Sequence, residues 1–278
     1  MKTNNQEDHG VRQLDTTKIP GHWLLARLGK RVLRPGGREL TQQMLNELNI
    51  QSSDDVIEFA PGLGFTAQFA LNQNPASYTA VERDEAAASV VRRYLKGSDQ
   101  TCLIGRAEET GLPDTTATVV YGEAMLTMQT PGKKQQIVQE ASRLIKAEGR
   151  YGIHELCLVP DDLDESTKQE IQKALTDAIH VGARPLTVSE WRTLLEAEGF
   201  SIQTEATAPM HLLEADRLIQ DEGTWGALRF AWNVLRNSEA RHRVKTMRKV
   251  FRTYEENLAA IMLVGVKQDF VNNLSAGN

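Results

Sequence analysis

One short stretch does most to limit what this chain can fold into. Val56-Ile57-Glu58-Phe59 is an apolar run interrupted by an acid, and Ala60-Pro61-Gly62-Leu63-Gly64 follows before helical periodicity begins at Phe65. A buried strand feeding a helix through a turn of small residues opens a βαβ unit. Gly62 and Gly64 permit positive φ and close approach of the backbone to a ligand. The N–H groups at the start of the following helix favour electron-rich groups. Dinucleotide sites use a similar turn. Counted from Gly62, the positions Gly64 and Ala67 satisfy G-x-G-x-x-G/A, so the glycines alone do not decide the ligand.

The rest of the chain keeps the same alternation. Strands are expected at Asp55–Phe59, Ser77–Glu82, Thr101–Ile104, Ala117–Tyr121, Arg150–Leu156, Phe200–Thr204 and Ala260–Val266. Helices are expected near Phe65–Asn72, Glu85–Leu95, Lys134–Ala147, Ser189–Glu198 (with Ser189 as N-cap) and Ala240–Leu258. This pattern predicts an α/β fold, a doubly wound and mostly parallel seven-stranded sheet. Around it we expect a tail over 1–17, an N-terminal helical cap over 18–50 broken at Pro35-Gly36-Gly37, and a sheet domain over 51–270. Helical insertions on the acceptor side are expected at about 157–198 and 208–258, with a short tail over 271–278.

Composition narrows the class. The 278 residues are 40% hydrophobic and 25% charged, which is ordinary globular usage and excludes disordered and fibrous chains. There is no run of about 18 apolar residues and no apolar core in the polar N-terminus, so neither a membrane span nor a secretory signal is expected. Two cysteines, Cys102 and Cys157, point to a reducing compartment, and the expectation is a soluble cytoplasmic protein. The net charge of −5 hides an asymmetry. Lys18–Arg38 carries six basic residues and no acid, and Gly226–Arg252 carries eight against Glu239 alone. If the two regions met over the carboxyl ends of the strands, they would offer a positive, partly apolar pocket.

Three ordered motifs resemble class I S-adenosylmethionine-dependent methyltransferases. Glu58-Phe59-Ala60-Pro61-Gly62-Leu63-Gly64 is similar to the family's acid-x-Gly-x-Gly-x-Gly, with Ala60 in place of the first glycine. Glu82, 18 positions after Gly64 and followed by Arg83, matches the carboxylate that accepts bonds from both ribose hydroxyls. Gly105-Arg106-Ala107-Glu108-Glu109-Thr110-Gly111-Leu112-Pro113 is similar to the adenine-binding turn, with Arg106 where an acid is usual. Val119–Met125, including Glu123 and Met125, occupies the position of the fourth strand's end, over the sulfonium. The resemblance implies S-adenosyl-L-methionine as cofactor, held by Glu58, Ala60, Pro61, Gly62, Gly64, Glu82, Arg83, Arg106, Ala107, Glu108 and Glu123.

Among such enzymes the ribosomal-RNA dimethyltransferases share the first two motifs. They carry Asn-Leu-Pro-Tyr after the fourth strand, whereas this chain has Tyr121-Gly122-Glu123-Ala124-Met125. The stretch from Val181 to Phe200 looks more like small-molecule enzymes of the ubiquinone, sterol and arsenite kind, so a small-molecule acceptor is expected and nucleic acid is disfavoured. An RNA-modifying enzyme and a non-catalytic cofactor-binding protein remain the alternatives. His154 and His22 are the candidate general bases, because imidazole titrates near neutral pH. Trp23, Arg27 and Met125 are the candidate acceptor contacts. No metal is expected: His154, Glu155 and Cys157 sit on an extended segment whose side chains alternate faces. Oligomeric state is left open.

Overall fold

The computed structural model describes residues 19–268. The expected tails over 1–17 and 271–278 lie outside the described residues. Eight strands form one sheet: β1 Asp55–Phe59, β2 Ser77–Glu82, β3 Gln100–Ile104, β4 Ala117–Glu123, β5 Ile145–Leu158, β6 Leu186–Thr187, β7 Phe200–Pro209 and β8 Leu258–Lys267. Their order is β3-β2-β1-β4-β5-β8-β7, with the two-residue β6 paired beside the end of β5. The pairs from β3 to β5 are parallel, and β8 runs antiparallel between β5 and β7. The mostly parallel, doubly wound α/β sheet expected from the alternation is therefore present, with β6 as an addition too short to leave a sequence signal.

Parallel strands need crossover helices, and those helices bury both faces of the sheet. Along β1, Ile57 and Phe59 face one layer, with α5 Pro131–Leu144 and α7 Val188–Glu196. Val56 faces the other, where α2 Gly37–Leu48, α3 Phe65–Leu71 and α4 Glu85–Arg92 pack. A third cluster sits beyond the carboxyl ends of the strands. It joins α1 Gly21–Arg27, α6 Glu165–Ile179, α8 Ala215–Arg236 and α9 Ser238–Thr253 through Leu24, Leu25, Leu175, Phe230, Met247 and Phe251. Strand order reverses between β1 and β4, and ligands of open α/β sheets bind in the crevice at such a point.

Several boundaries differ from expectation for local reasons. The α5 helix starts at Pro131, whose fixed φ suits the first turn, and ends at Leu144, because Ile145 already pairs with Ala117 in β4. Thr187, not Ser189, caps α7: its hydroxyl accepts from the Glu190 N–H and the Glu190 carboxylate accepts from the Thr187 N–H. The last long helix stops at Thr253, and a 3-10 turn over Glu255–Asn257 leads into β8. Within the expected cap, α2 lies on a face of the sheet, so only the segment up to Gly36 crosses above the strand ends.

That segment is a strap held by a pair of carboxylates. Asp221 pairs with Lys30 at 3.1 Å, both side chains fully buried, and also accepts from the Arg38 N–H. Glu222 accepts from the Arg31 and Val32 N–H groups at 2.6 and 2.8 Å and from the Arg31 guanidinium. Both acids precede Gly223, whose non-helical backbone kinks α8 and turns them toward the strap. Burial pushes the Lys30 ammonium below its usual range, against the attraction of Asp221. Removing one partner of such a pair strands the other charge. Asp221→Ala is expected to cost about 3–5 kcal/mol in urea denaturation, and Asp221→Leu combined with Lys30→Met to recover most of it.

Candidate functional site

A continuous cavity of about 720 Å³ opens over the carboxyl ends of β1, β2 and β4. Its floor is the turn after β1. Ala60, Gly62 and Gly64 all take positive φ, at 51°, 56° and 71°. The two glycines are needed for different reasons. A Cβ on Gly62 would meet nothing within 4 Å, so its bare backbone faces open space. A Cβ on Gly64 would strike the Tyr94 ring at 2.9 Å, so that glycine lets α3 dock. The loop is tied to β2, where the Glu82 carboxylate accepts from the Gly62 N–H at 3.1 Å and the Asp84 N–H at 3.0 Å. Glu58 is buried beneath the loop, and one of its oxygens accepts from the hydroxyls of both Tyr78 and Tyr121.

Glu123, at the end of β4, binds four elements at once. Arg34 of the strap, Thr41 of α2, Thr66 of α3 and His154 of β5 all reach its two oxygens, with His154 Nδ1 at 2.8 Å. Burial alone would raise this carboxyl, but Arg34, His154 and Thr66 hold it at about 2. Next to it, Glu155 is fully buried and accepts from the Met125, Leu126 and Thr127 N–H groups at 2.9, 2.7 and 3.0 Å and from the Thr127 hydroxyl. Burial raises its carboxyl against those four bonds. The loop after β4 is thus folded around the Glu155 carboxyl, and Met125 is set into the cavity wall.

The far half of the cavity is apolar, walled by Leu156, Leu175, Ile179, Met210, Met247 and Phe251. His22 and Trp23 of α1 close it, their rings 5.3 Å apart. Burial, and then the nearby Arg83, lower the His22 imidazole to about 4. It is therefore neutral at pH 7. Such a cavity can hold a nucleotide-like ligand against the loops and an apolar molecule against it.

A sequence-family model described as "Methyltransferase domain" matches residues 57–153, which span β1 into β5. An uncharacterised protein of Haemophilus influenzae is 31% identical over 251 residues, 89% of this chain and 98% of that one. The chain belongs to the class I S-adenosylmethionine-dependent methyltransferases. Solved structures share the fold at low identity. Phosphoethanolamine N-methyltransferase 2 of Haemonchus contortus, in complex with S-adenosyl-L-methionine, matches with a TM-score of 0.68 and 14% identity over 93% of this chain and 58% of that chain. The [4+2]-cyclase SpnF matches at 0.67 and 13% over 88% and 93%.

Most of the residues singled out in the methyltransferase's sequence come together. Glu58, Ala60, Pro61, Gly62, Glu82, Arg83, Arg106, Ala107, Glu108, Glu123, His22, Trp23 and Met125 all border the cavity. Three expected site residues do not. Gly64 caps α3 behind the loop. Arg27 ends α1 away from the cavity, and Arg31 and Arg34 of the strap border it instead. His154 is fully buried, with Nδ1 on Glu123 and Nε2 on the Pro35 carbonyl at 2.6 Å. Both ring nitrogens are thus engaged by groups of the protein, and the ring does not border the cavity. His154 is a brace for the strap and not a catalytic group. Glu58 and Glu123 likewise have oxygens already engaged from below or behind.

The two basic regions do meet. Arg243 of α9 donates to the Ile19 carbonyl at 2.8 Å, and Gly21 lies against Met247. The pocket they form is less positive than expected, because Lys30 and Arg31 are paired with Asp221 and Glu222, and Arg248 and Arg252 with Glu214. What α9 contributes to the cavity is apolar, Met247 and Phe251. Leu228, Trp232 and Leu235 do not join this wall and are exposed on α8.

Burial lifts the Glu58 carboxyl to about 7 in spite of the two tyrosine bonds. Its stabilisation belongs to the protonated form: it is complete below the ordinary value of 4.5 and is lost as pH rises through about 7. Between about pH 5 and about pH 8, the stability of Glu58→Gln relative to wild type should therefore rise by about 2–3 kcal/mol, read from denaturation curves at each pH.

Proposed function

We propose that this methyltransferase uses S-adenosyl-L-methionine to methylate a small, largely apolar acceptor. The observation that carries the reading is the single cavity in which the glycine loop and Glu82 form one half and an aliphatic, methionine-rich chamber forms the other. The residues fit the cofactor. Gly62 leaves its backbone open to the cavity, with no protein atom within 4 Å of where a Cβ would stand, and Glu82, an acceptor-only group at the tip of β2, suits a vicinal diol. Ala107, Val81 and Ile137 offer an apolar slot for a heteroaromatic ring beside the backbone at Gly105 and Arg106. When bound, the sulfonium supplies an activated methyl group for in-line displacement.

The protein's part is placement and desolvation. The chamber orients the acceptor toward the loop after β4, and the strap with α1 keeps water out. The acids that border the cavity lie in the cofactor half: Glu58, Glu82, Asp84, Glu108 and Glu123. On the acceptor side the titratable group poised to take a proton is His22, and at about 4 it is a weak base. The site therefore suits a nucleophile that needs no strong base, such as a neutral amine or an acidic oxygen already ionised. Arg31 and Arg34 at the rim would favour the anionic case. Cytoplasmic location and a nucleic-acid-free mode of action fit this reading.

Two measurements test it. S-adenosylhomocysteine should bind the wild type in calorimetry, and Glu82→Ala should weaken it by about 1–3 kcal/mol. No binding to the wild type, or unchanged affinity in the variant, would refute the cofactor assignment. With an acceptor found by labelled-methyl transfer to a panel of apolar amines and acids, His22→Asn should lower kcat by less than about tenfold. A loss of about 10²–10⁴ would make His22 the general base after all.

A further inference from the structure

Beyond Gly223, α8 shows a face that nothing among the described residues covers. Trp225, Leu228, Trp232 and Leu235 are 82%, 62%, 59% and 61% exposed. Their spacing of three, four and three places them along one side of the helix, while Phe230 and Val234 on the other side enter the core. Arg229 and Arg236 border the same exposed face. Arg229 donates weakly to the Gly29 carbonyl, and Arg236 stacks over Trp232 at 5.8 Å. Among the described residues neither has a carboxylate partner in an ion pair, and from Thr224 to Arg236 there is no acidic residue at all.

We propose that this face of α8 docks in the plane of an anionic lipid surface. Trp225, Leu228, Trp232 and Leu235 enter the boundary between headgroups and acyl chains, and Arg229 and Arg236 pair with lipid phosphates. The indole rings suit such a boundary, apolar in body with one N–H for the wet side. Charge selects the partner. If α8 packed on a second copy of itself, Arg229 and Arg236 of both chains would approach with no acid in the segment to offset them. A phosphate-rich surface supplies that countercharge. The exposed face is also coupled to the cavity's lid. Asn233 donates to the Leu28 carbonyl at 3.0 Å and Glu222 holds Arg31 and Val32, so the docked helix carries the strap that borders the apolar chamber.

The test is flotation of the full chain with vesicles of phosphatidylcholine containing a third phosphatidylglycerol, against pure phosphatidylcholine. Binding to the mixed vesicles is expected, weakening with salt and accompanied by a blue shift of tryptophan emission. Trp225→Ser combined with Trp232→Ser should lower the partition coefficient at least about tenfold. Arg229→Gln with Arg236→Gln should remove most of the salt dependence. Absence of flotation, or equal flotation by the serine variant, overturns the proposal. So does a concentration-dependent dimer of the wild type that the serine variant abolishes, because the face would then be a self-interface. Retained S-adenosylhomocysteine affinity in the serine variant verifies its fold and keeps this test separate from the methyl-transfer reading.

Discussion

The buried carboxylate of Glu123 is the contact on which the arrangement of this site depends. It lies at the end of β4, on one side of the switch point, and collects Arg34, Thr41, Thr66 and His154 from four elements. An ionised carboxylate taken out of water is costly unless it is paired and fully hydrogen-bonded. Here four side chains from four elements meet both of its oxygens, and loss of Arg34 would remove the guanidinium that offsets its charge. The strap is the element with most to lose. Arg34 ties it to Glu123, and the Pro35 carbonyl ties it to His154, so the strand ends beside the glycine loop also hold the strap.

A second layer of buried acids extends this logic. Glu155 gathers three backbone N–H groups of the loop after β4 without a cation in contact, and Glu58 takes two tyrosine hydroxyls under the loop after β1. The first is a nest of backbone N–H groups made by a loop, whose oriented dipoles offset part of the cost of burying the carboxyl. The second leaves the carboxyl protonated for much of the physiological range, because two hydroxyls offset less than burial costs. The consequence is a rigid floor on both sides of the crevice. The polar groups that shape it point away from the acceptor, and the chamber itself stays apolar.

How much of this was legible in the sequence follows from range. The loop Ala60–Gly64, Glu82 and the alternation of strands and helices are local patterns, and they lead to the sheet and to the cofactor half of the cavity. His154 was misjudged because its position at the end of β5 says nothing about what stands opposite. The Pro35 carbonyl, 119 residues earlier, takes the nitrogen that a base would need. Asp221 and Glu222 gave no signal as clamps, because their partners are 191 residues away and their direction depends on the kink at Gly223. Ser189 and Thr187 are both good capping residues, and Glu190 decides between them by completing a capping box only with Thr187.

The charge asymmetry of the chain is resolved in the same terms. A basic N-terminal segment and a basic C-terminal helix look, in sequence, like the walls of an anion pocket. In the fold Lys30 and Arg31 of the first pair with Asp221 and Glu222 on α8, and Arg248 and Arg252 of the second both pair with Glu214. These ion pairs bind the helices of the acceptor side to one another. Of the basic side chains that border the cavity, Arg31 pairs with Glu222, Arg34 with Glu123 and Lys133 with Glu108, while Arg83 and Arg106 stand beside the glycine loop. The far half of the cavity, by contrast, is lined by apolar side chains. Its walls include Met210 from the loop after β7 and Met247 and Phe251 from α9, side chains that come from outside the crossover helices of the parallel strands.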